Sequence, residues 1–253
     1  LPRRRRISAT GEVLLPRDDA LFVVISDIDD TVMPTEATSA VRMLRSLFLG
    51  SARSRLPFPG VGAFYRALHL DARDEPRNPI LYVSRGPWNL YDLLSEFFRL
   101  HDIPVGPVLH LRDWGLSREG LTPARPRGHK HRLITAMLDT YRDLPFVLVG
   151  DSGQLDPEIY AEVASTFRER ILAVYIRVAE PDEARARAIR LLAERVRAAG
   201  SMLVLAEDSL HMARHAAEHG LISARRLREI QSEKDLAEDP PGLLESREKA
   251  ARG

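Results

Sequence analysis

The chain contains no cysteine, which excludes a disulfide framework and any thiolate metal site and fits a reducing compartment. It also lacks an apolar run near the roughly 20 residues that a membrane-spanning helix needs, and no apolar stretch follows its charged N-terminus. Neither a span nor a signal peptide is therefore expected, and the chain should be soluble. An excess of one charge is missing too: 37 basic residues face 36 acidic ones for a formal net charge of +1, with a single-sign block only at Arg3, Arg4, Arg5 and Arg6. That balance leaves no global nucleic-acid footprint, so no nucleic-acid partner is expected. What is present is 253 residues, 44% of them apolar, enough for one α/β domain with a full core. The chain begins at Leu1 rather than at a methionine, which leaves an upstream domain or targeting segment open.

Short, solidly apolar runs at 21–25, 80–83, 105–111, 146–149, 171–176 and 202–205 alternate with amphipathic stretches. Parallel strands covered on both faces by helices read this way. Helical patterns fall at 88–100, 130–141, 157–167, 182–198 and 208–219, the last stopped by Gly220. The alternation predicts a doubly wound, mainly parallel sheet with right-handed crossovers and a ligand site at the carboxyl ends of its strands. Residues 34–60 and 112–128 break the pattern, and the charged stretch from about residue 232, with Pro240 and Pro241, reads as a C-terminal helix or tail. The expected division is one domain over residues 1–231 and an extension over 232–253.

Polar clusters follow several of the apolar runs. Asp27, Asp29 and Asp30 crowd the end of the first. Carboxylates so close raise one another's pKa unless a cation sits among them, and a hard divalent ion such as Mg²⁺ suits oxygen ligands beside a phosphate. The other reading is an acidic turn capping the next element. Ser84, Arg85, Gly86 and Pro87 follow the second run; with Pro87 at a first helical position, Ser84 and free backbone N–H groups could face an anion, or Ser84 could simply cap the helix. Lys130, flanked by His129, His131 and Arg132, opens a helix and shares a face with Ile134, Met137 and Tyr141, so it should point toward the sheet. Gly150 and Asp151 follow the 146–149 run, with Asp151 a further candidate metal ligand. Asp156, ahead of Pro157, either caps a helix or supports the site as an acid.

Asp27-x-Asp29-x-Thr31, Ser84 after a strand, Lys130 opening a helix, and Gly150-Asp151 with Asp156 five residues on resemble the four signatures of the haloacid dehalogenase (HAD) superfamily. Asp27-Ile28-Asp29-Asp30-Thr31-Val32, Pro87-Trp88-Asn89-Leu90-Tyr91-Asp92 and Gly150-Asp151-Ser152-Gly153-Gln154-Leu155-Asp156-Pro157-Glu158-Ile159-Tyr160 are similar, more particularly, to the catalytic domain of actin-patch-associated phosphatidate phosphatases and their bacterial relatives. Arg85-Gly86 departs from the serine-rich turn expected there.

The resemblance implies a HAD-like Rossmannoid fold with little or no cap domain. It implies Asp27 as nucleophile, Asp29 as acid and base, and Mg²⁺ held by Asp27, the backbone carbonyl of Asp29 and Asp151. Ser84, Arg85 and Lys130 would bind the substrate phosphate, Thr31 would fix the turn, and Asp156 would orient Lys130 or a metal-bound water. The implied substrate is a phosphorylated molecule, foremost the phospholipid phosphatidate, hydrolysed to diacylglycerol by a cytoplasmic protein with peripheral membrane contact. Residues 44–58 mix Leu47, Phe48, Leu49, Leu56 and Phe58 with Arg45, Arg53 and Arg55, which suits either an anionic lipid surface or ordinary helix packing. A soluble or nucleic-acid-end phosphomonoester is the alternative substrate, and a non-catalytic lipid- or protein-binding module the alternative class. Glu207, His211, His215 and His219 recur every fourth residue, as a solvated helix face or a zinc stripe would.

Overall fold

The structure, a computed structural model, describes residues 13–33, 56–87, 90–112 and 126–238; for residues 85–87, 110–112, 126 and 127 it describes the backbone alone. Six strands are present: β1 (Val23–Asp27), β2 (Ile80–Pro87), β3 (Val108–Arg112), β4 (Phe146–Asp151), β5 (Ile171–Arg177) and β6 (Leu203–Ala206). Seven helices accompany them among the described residues: α1 (Val61–His69), α2 (Tyr91–Leu100), α3 (Pro126–Thr140), α4 (Asp156–Thr166), α5 (Glu183–Ala198), α6 (Ser209–Glu218) and α7 (Ala224–Glu238). The strands form one sheet in the order β3-β2-β1-β4-β5-β6, with every pairing parallel. This is the doubly wound α/β arrangement of a HAD-like Rossmannoid fold, and each of the six apolar runs supplies a strand.

The runs are solid because both faces of the sheet are covered. Val24, Val147, Val149 and Tyr175 point into a core shared with α1, α2, α6 and α7. Their neighbours Val23, Ile25, Phe146, Leu148 and Ile176 point into a second core with α3, α4 and α5. Side chains alternate across a strand, so a strand buried on both sides has no polar register to show.

Helix α1 does not appear among the expected helices. Seven of its nine residues are buried, so only Arg66 and His69 mark its period. Gly60, at φ 70°, supplies the left-handed turn before it. At Gly62 a Cβ would stand 2.9 Å from the carbonyl of His101, so only glycine lets α1 lie this close to the end of α2. Helix α7 runs through residue 232; its Glu233 pairs with Arg66 of α1, and Lys234 Nζ lies 3.5 Å from Asp208 Oδ2 beside α6.

Two boundaries near the strand tips differ from expectation. Pro87 ends β2, in register with Arg112, instead of opening a helix, and α2 begins at Tyr91. Ser84 therefore lies inside a strand, with an irregular register between it and Pro87. Helix α3 begins at Pro126, one turn ahead of Lys130, so the cost of a cation at the helix dipole's positive end falls away. Residues 34–55 and 113–125, most of the two breaks in the alternation, lie outside the described residues, as do Arg45, Leu47, Phe48, Leu49, Arg53 and Arg55. No described helix is long and apolar enough to cross a membrane.

Candidate active site

In the order β3-β2-β1-β4-β5-β6, the strands on either side of the β1/β4 pair are reached by connections running in opposite directions, which opens a crevice at their carboxyl ends. Asp27 is the last residue of β1 and Asp151 the last of β4. Helix α3 sends in Lys130, and α4 contributes Asp156, its first residue. All four are buried, each at most 3% exposed.

One carboxylate oxygen each of Asp27, Asp151 and Asp156 lies within 4.8 Å of the other two. Lys130 Nζ stands 3.0 Å from Asp27 Oδ1 and also pairs with Asp156 Oδ1. Two of the three buried acids thus pair with one ammonium. Burial drives the Asp27 carboxyl well above its usual range; Lys130 opposes that, and Asp156, Asp29 and Asp151 reinforce it. Burial, aided by Asp156 and opposed by Lys130, pushes Asp151 up to about 7. For Lys130 burial acts downward, but the charges of Asp156 and Asp27 outweigh it and hold the ammonium above its ordinary value.

The acids are not equally satisfied. Asp151 Oδ1 accepts hydrogen bonds from the backbone N–H groups of Gly153 (2.7 Å) and Gln154 (3.0 Å), whereas its Oδ2 is buried without a partner. Neither oxygen of Asp27 accepts a hydrogen bond, although Oδ1 is ion-paired. Asp156 is not a helix cap: Leu155 occupies that position, and Asp156 Oδ2 accepts a 3.4 Å bond from the Asp151 N–H. Gly150 makes the approach possible, since a Cβ there would stand 2.3 Å from Asp156 Oδ2. Unpartnered carboxylate oxygens in a dry, net-acidic cluster are costly unless a cation completes them. An all-oxygen donor set fits a hard divalent ion such as Mg²⁺.

Around this centre, Asp29 and Thr31 are buried in the turn after β1. The Asp29 carboxylate is not among the three clustered acids, and the Thr31 hydroxyl is buried without a hydrogen-bond partner. Ser84 is buried in β2, one residue beyond Val83, the register partner of Asp27. The Arg85 side chain lies outside the described residues. Arg185, from α5, is a residue that sequence reasoning did not single out. Its Nε donates to the Ser152 carbonyl (2.8 Å), its Nη2 to the Gln154 carbonyl (2.6 Å) and to Glu158 Oε2 (3.0 Å), fastening the loop between Asp151 and Asp156. The histidine stripe gathers no group of three metal-ligating side chains among the described residues. His215 stacks on His219 at 4.1 Å, and its Nδ1 lies 3.1 Å from the Tyr175 hydroxyl.

A family model described as phosphatidate phosphatase APP1, catalytic domain, matches residues 22–178, more than half of the chain, including Asp27, Asp29, Ser84, Lys130, Asp151 and Asp156. The chain belongs to this family. Phosphatidate phosphatase APP1 of Saccharomyces cerevisiae is 34% identical over 155 residues, covering 61% of this chain and 25% of that protein. An uncharacterized protein of Schizosaccharomyces pombe is 35% identical over 156 residues, covering 61% of this chain and 24% of the relative. The chain thus spans about a quarter of the length of the curated relatives it matches. Membership of the APP1 catalytic-domain family agrees with the HAD-like superfamily implied by the four motifs.

Proposed function

We propose that this domain is a Mg²⁺-dependent phosphatase that hydrolyses phosphatidate to diacylglycerol through a phosphoryl group carried on Asp27. The observation that carries the reading is the crowding of Asp27, Asp151 and Asp156 around one lysine, with buried oxygens of Asp27 and Asp151 left unpartnered. Asp27, Asp151 and the Asp29 backbone carbonyl would hold Mg²⁺, which would neutralise the repulsion between a carboxylate nucleophile and an anionic phosphate.

An oxygen of the Asp27 carboxylate attacks phosphorus, and the bond from phosphorus to the glycerol oxygen breaks. Asp29, protonated at this stage, gives its proton to that departing oxygen. Asp29, now a carboxylate, takes a proton from water as the water oxygen attacks the same phosphorus. The bond to Asp27 breaks, inorganic phosphate leaves, and both side chains return to their starting forms. Ser84 and Lys130 hold the phosphoryl oxygens and stabilise their charge in the transition state. Asp156 keeps Lys130 aimed, through the pairing seen here.

The choice of lipid rests on the family and on what the S. cerevisiae relative's name says it hydrolyses. The absence of cysteine and the lipid substrate together favour a cytoplasmic protein working at the edge of membranes. The test is phosphate release from phosphatidate in mixed micelles with Mg²⁺, against a panel of soluble and nucleic-acid-end phosphomonoesters. Hydrolysis of phosphatidate that Asp27→Asn abolishes in a folded protein is the expected result. Release from the soluble panel but not from phosphatidate would overturn the lipid assignment, and a fully active Asp27→Asn variant would overturn the mechanism.

A further inference from the structure

Arg177 is the last residue of β5 and the register partner of Asp151, yet its side chain takes no part in the acid cluster. It is 3% exposed, and no carboxylate lies within ion-pair distance of it among the described residues. Burial lowers its pKa to about 10. A buried cation with no carboxylate in contact, helped only by the more distant charge of Asp208, is expensive to keep, so what the guanidinium touches matters. Nε donates to the Thr31 carbonyl at 3.1 Å, Nη2 donates to the Ser209 hydroxyl at 2.7 Å, and the guanidinium carbon sits 4.3 Å from the centroid of the Phe58 ring.

The first of these contacts lies in the turn that follows Asp27 and carries Asp29. The turn is closed by Asp30 N–H to the Met33 carbonyl and Val32 N–H to the Ile28 carbonyl, both at 3.0 Å. It contains Asp30 at φ 54°, a left-handed conformation that aspartate tolerates better than most non-glycine residues. Phe58 itself donates its N–H to the Val32 carbonyl at 3.1 Å. A planar fork can satisfy two acceptors and stack on a ring together, which a lysine ammonium cannot.

We propose that Arg177 is a positioning residue: by holding the Thr31 carbonyl it fixes the turn that sets the Asp29 carboxyl against the leaving oxygen. This rests on Asp29 being the general acid.

A merely structural role for Arg177 would depress every substrate alike. A role through Asp29 depends on how much protonation the leaving group needs. The experiment compares kcat/KM for a short-chain phosphatidate, whose alkoxide leaving group needs a proton, with kcat/KM for p-nitrophenyl phosphate, whose aryloxide needs little. The full chain is used, as wild type, Asp29→Asn, Arg177→Lys, Ser209→Ala and Phe58→Leu. General-acid contributions run to about 10²–10⁴-fold. Asp29→Asn should accordingly lose far more on phosphatidate than on the aryl ester. Arg177→Lys should lose about tenfold or more on phosphatidate and under about threefold on the aryl ester, as a partial loss of that contribution.

Equal losses on both substrates for Arg177→Lys, with Asp29→Asn still discriminating, overturn the positioning role alone. An Asp29→Asn variant that does not discriminate overturns the acid assignment, and the Arg177 proposal with it. Should Arg177→Lys fail to fold, Ser209→Ala and Phe58→Leu each remove one anchor of the guanidinium and carry the same test. They should show the same bias at smaller size, and its absence in both overturns the proposal.

Discussion

Lys130 Nζ and Asp27 Oδ1 stand 3.0 Å apart, with both side chains at most 4% exposed. The ammonium is shared, because Asp156 pairs with it from the other side. Removing it leaves three acids with no cation among them, so its loss should be felt in folding as well as in turnover. Breaking one side of a buried pair typically costs about 3–5 kcal/mol. Lys130→Met should lower the stability of the metal-free protein by about that amount, measured by urea unfolding, and reduce kcat by about 10²-fold or more. A Lys130→Met variant of wild-type stability would mean that the acids are already neutral without it.

The raised carboxyl pKa values fix the sign of the pH dependence. An unfolded aspartate titrates near 3.8, whereas Asp151 in the fold titrates at about 7 and Asp27 is displaced in the same direction. Between those values the folded state holds protons that the unfolded chain has released, so stability falls as pH rises through the window. In a chelating buffer the protein should therefore melt at a higher temperature at pH 5.5 than at pH 8. On the proposed function Mg²⁺ would compete with those protons for the same oxygens and should recover most of the loss at pH 8. Thermal scans at both pH values, with chelator or with Mg²⁺, check this; a melting temperature that rises with pH in chelator contradicts it.

Gly150 separates two kinds of glycine. A methyl group there would meet Asp156 Oδ2 at 2.3 Å and Asp156 Cβ at 2.8 Å, so the first turn of α4 must shift. At Gly128, in α3, the nearest atom to an added Cβ is the end of the Arg132 side chain at 3.8 Å. Gly150→Ala should cost about 1–3 kcal/mol of stability and most of the activity, because the displaced carboxylate is the one that pairs with Lys130. Gly128→Ala should be neutral or stabilising by about 0.5–1 kcal/mol. Urea unfolding and phosphate release on both variants measure the contrast.

What the sequence shows and hides has a physical pattern. All six strands are legible because a strand buried on both faces must be apolar throughout. Asp27, Lys130, Asp151 and Asp156 stand out because charge at the tips of such strands, or on the sheet-facing side of a helix, is costly unless a partner or ligand meets it. Helix α1 is hidden by its own burial, which leaves only Arg66 and His69 to mark a polar stripe. Ser84 is singled out, but its setting is misread: a proline after a strand suits a helix start as well as a strand end, and only the pairing of Pro87 with Arg112 decides. The arginines are the least legible. Arg185 is one of five in α5, and Arg177 closes an ordinary strand; nothing in the local pattern separates an arginine that clamps a loop from one in solvent.

Arg185 therefore offers the sharpest test of how the β4 loop serves the site. Its guanidinium ties the Ser152 and Gln154 carbonyls to Glu158, while the N–H groups of Gly153 and Gln154 hold Asp151 Oδ1. Arg185→Ala releases the loop without touching any of the three clustered acids. If the loop sets the direction of the Asp151 oxygen offered to the metal, the variant should need more Mg²⁺ for half-maximal activity, by about tenfold, with kcat at saturating Mg²⁺ nearly unchanged. Glu158→Gln weakens the ion pair but spares the backbone contacts, so its shift should be smaller. Mg²⁺ titrations of phosphate release give both numbers. A fall in kcat with no change in the Mg²⁺ requirement would instead assign the loop to substrate.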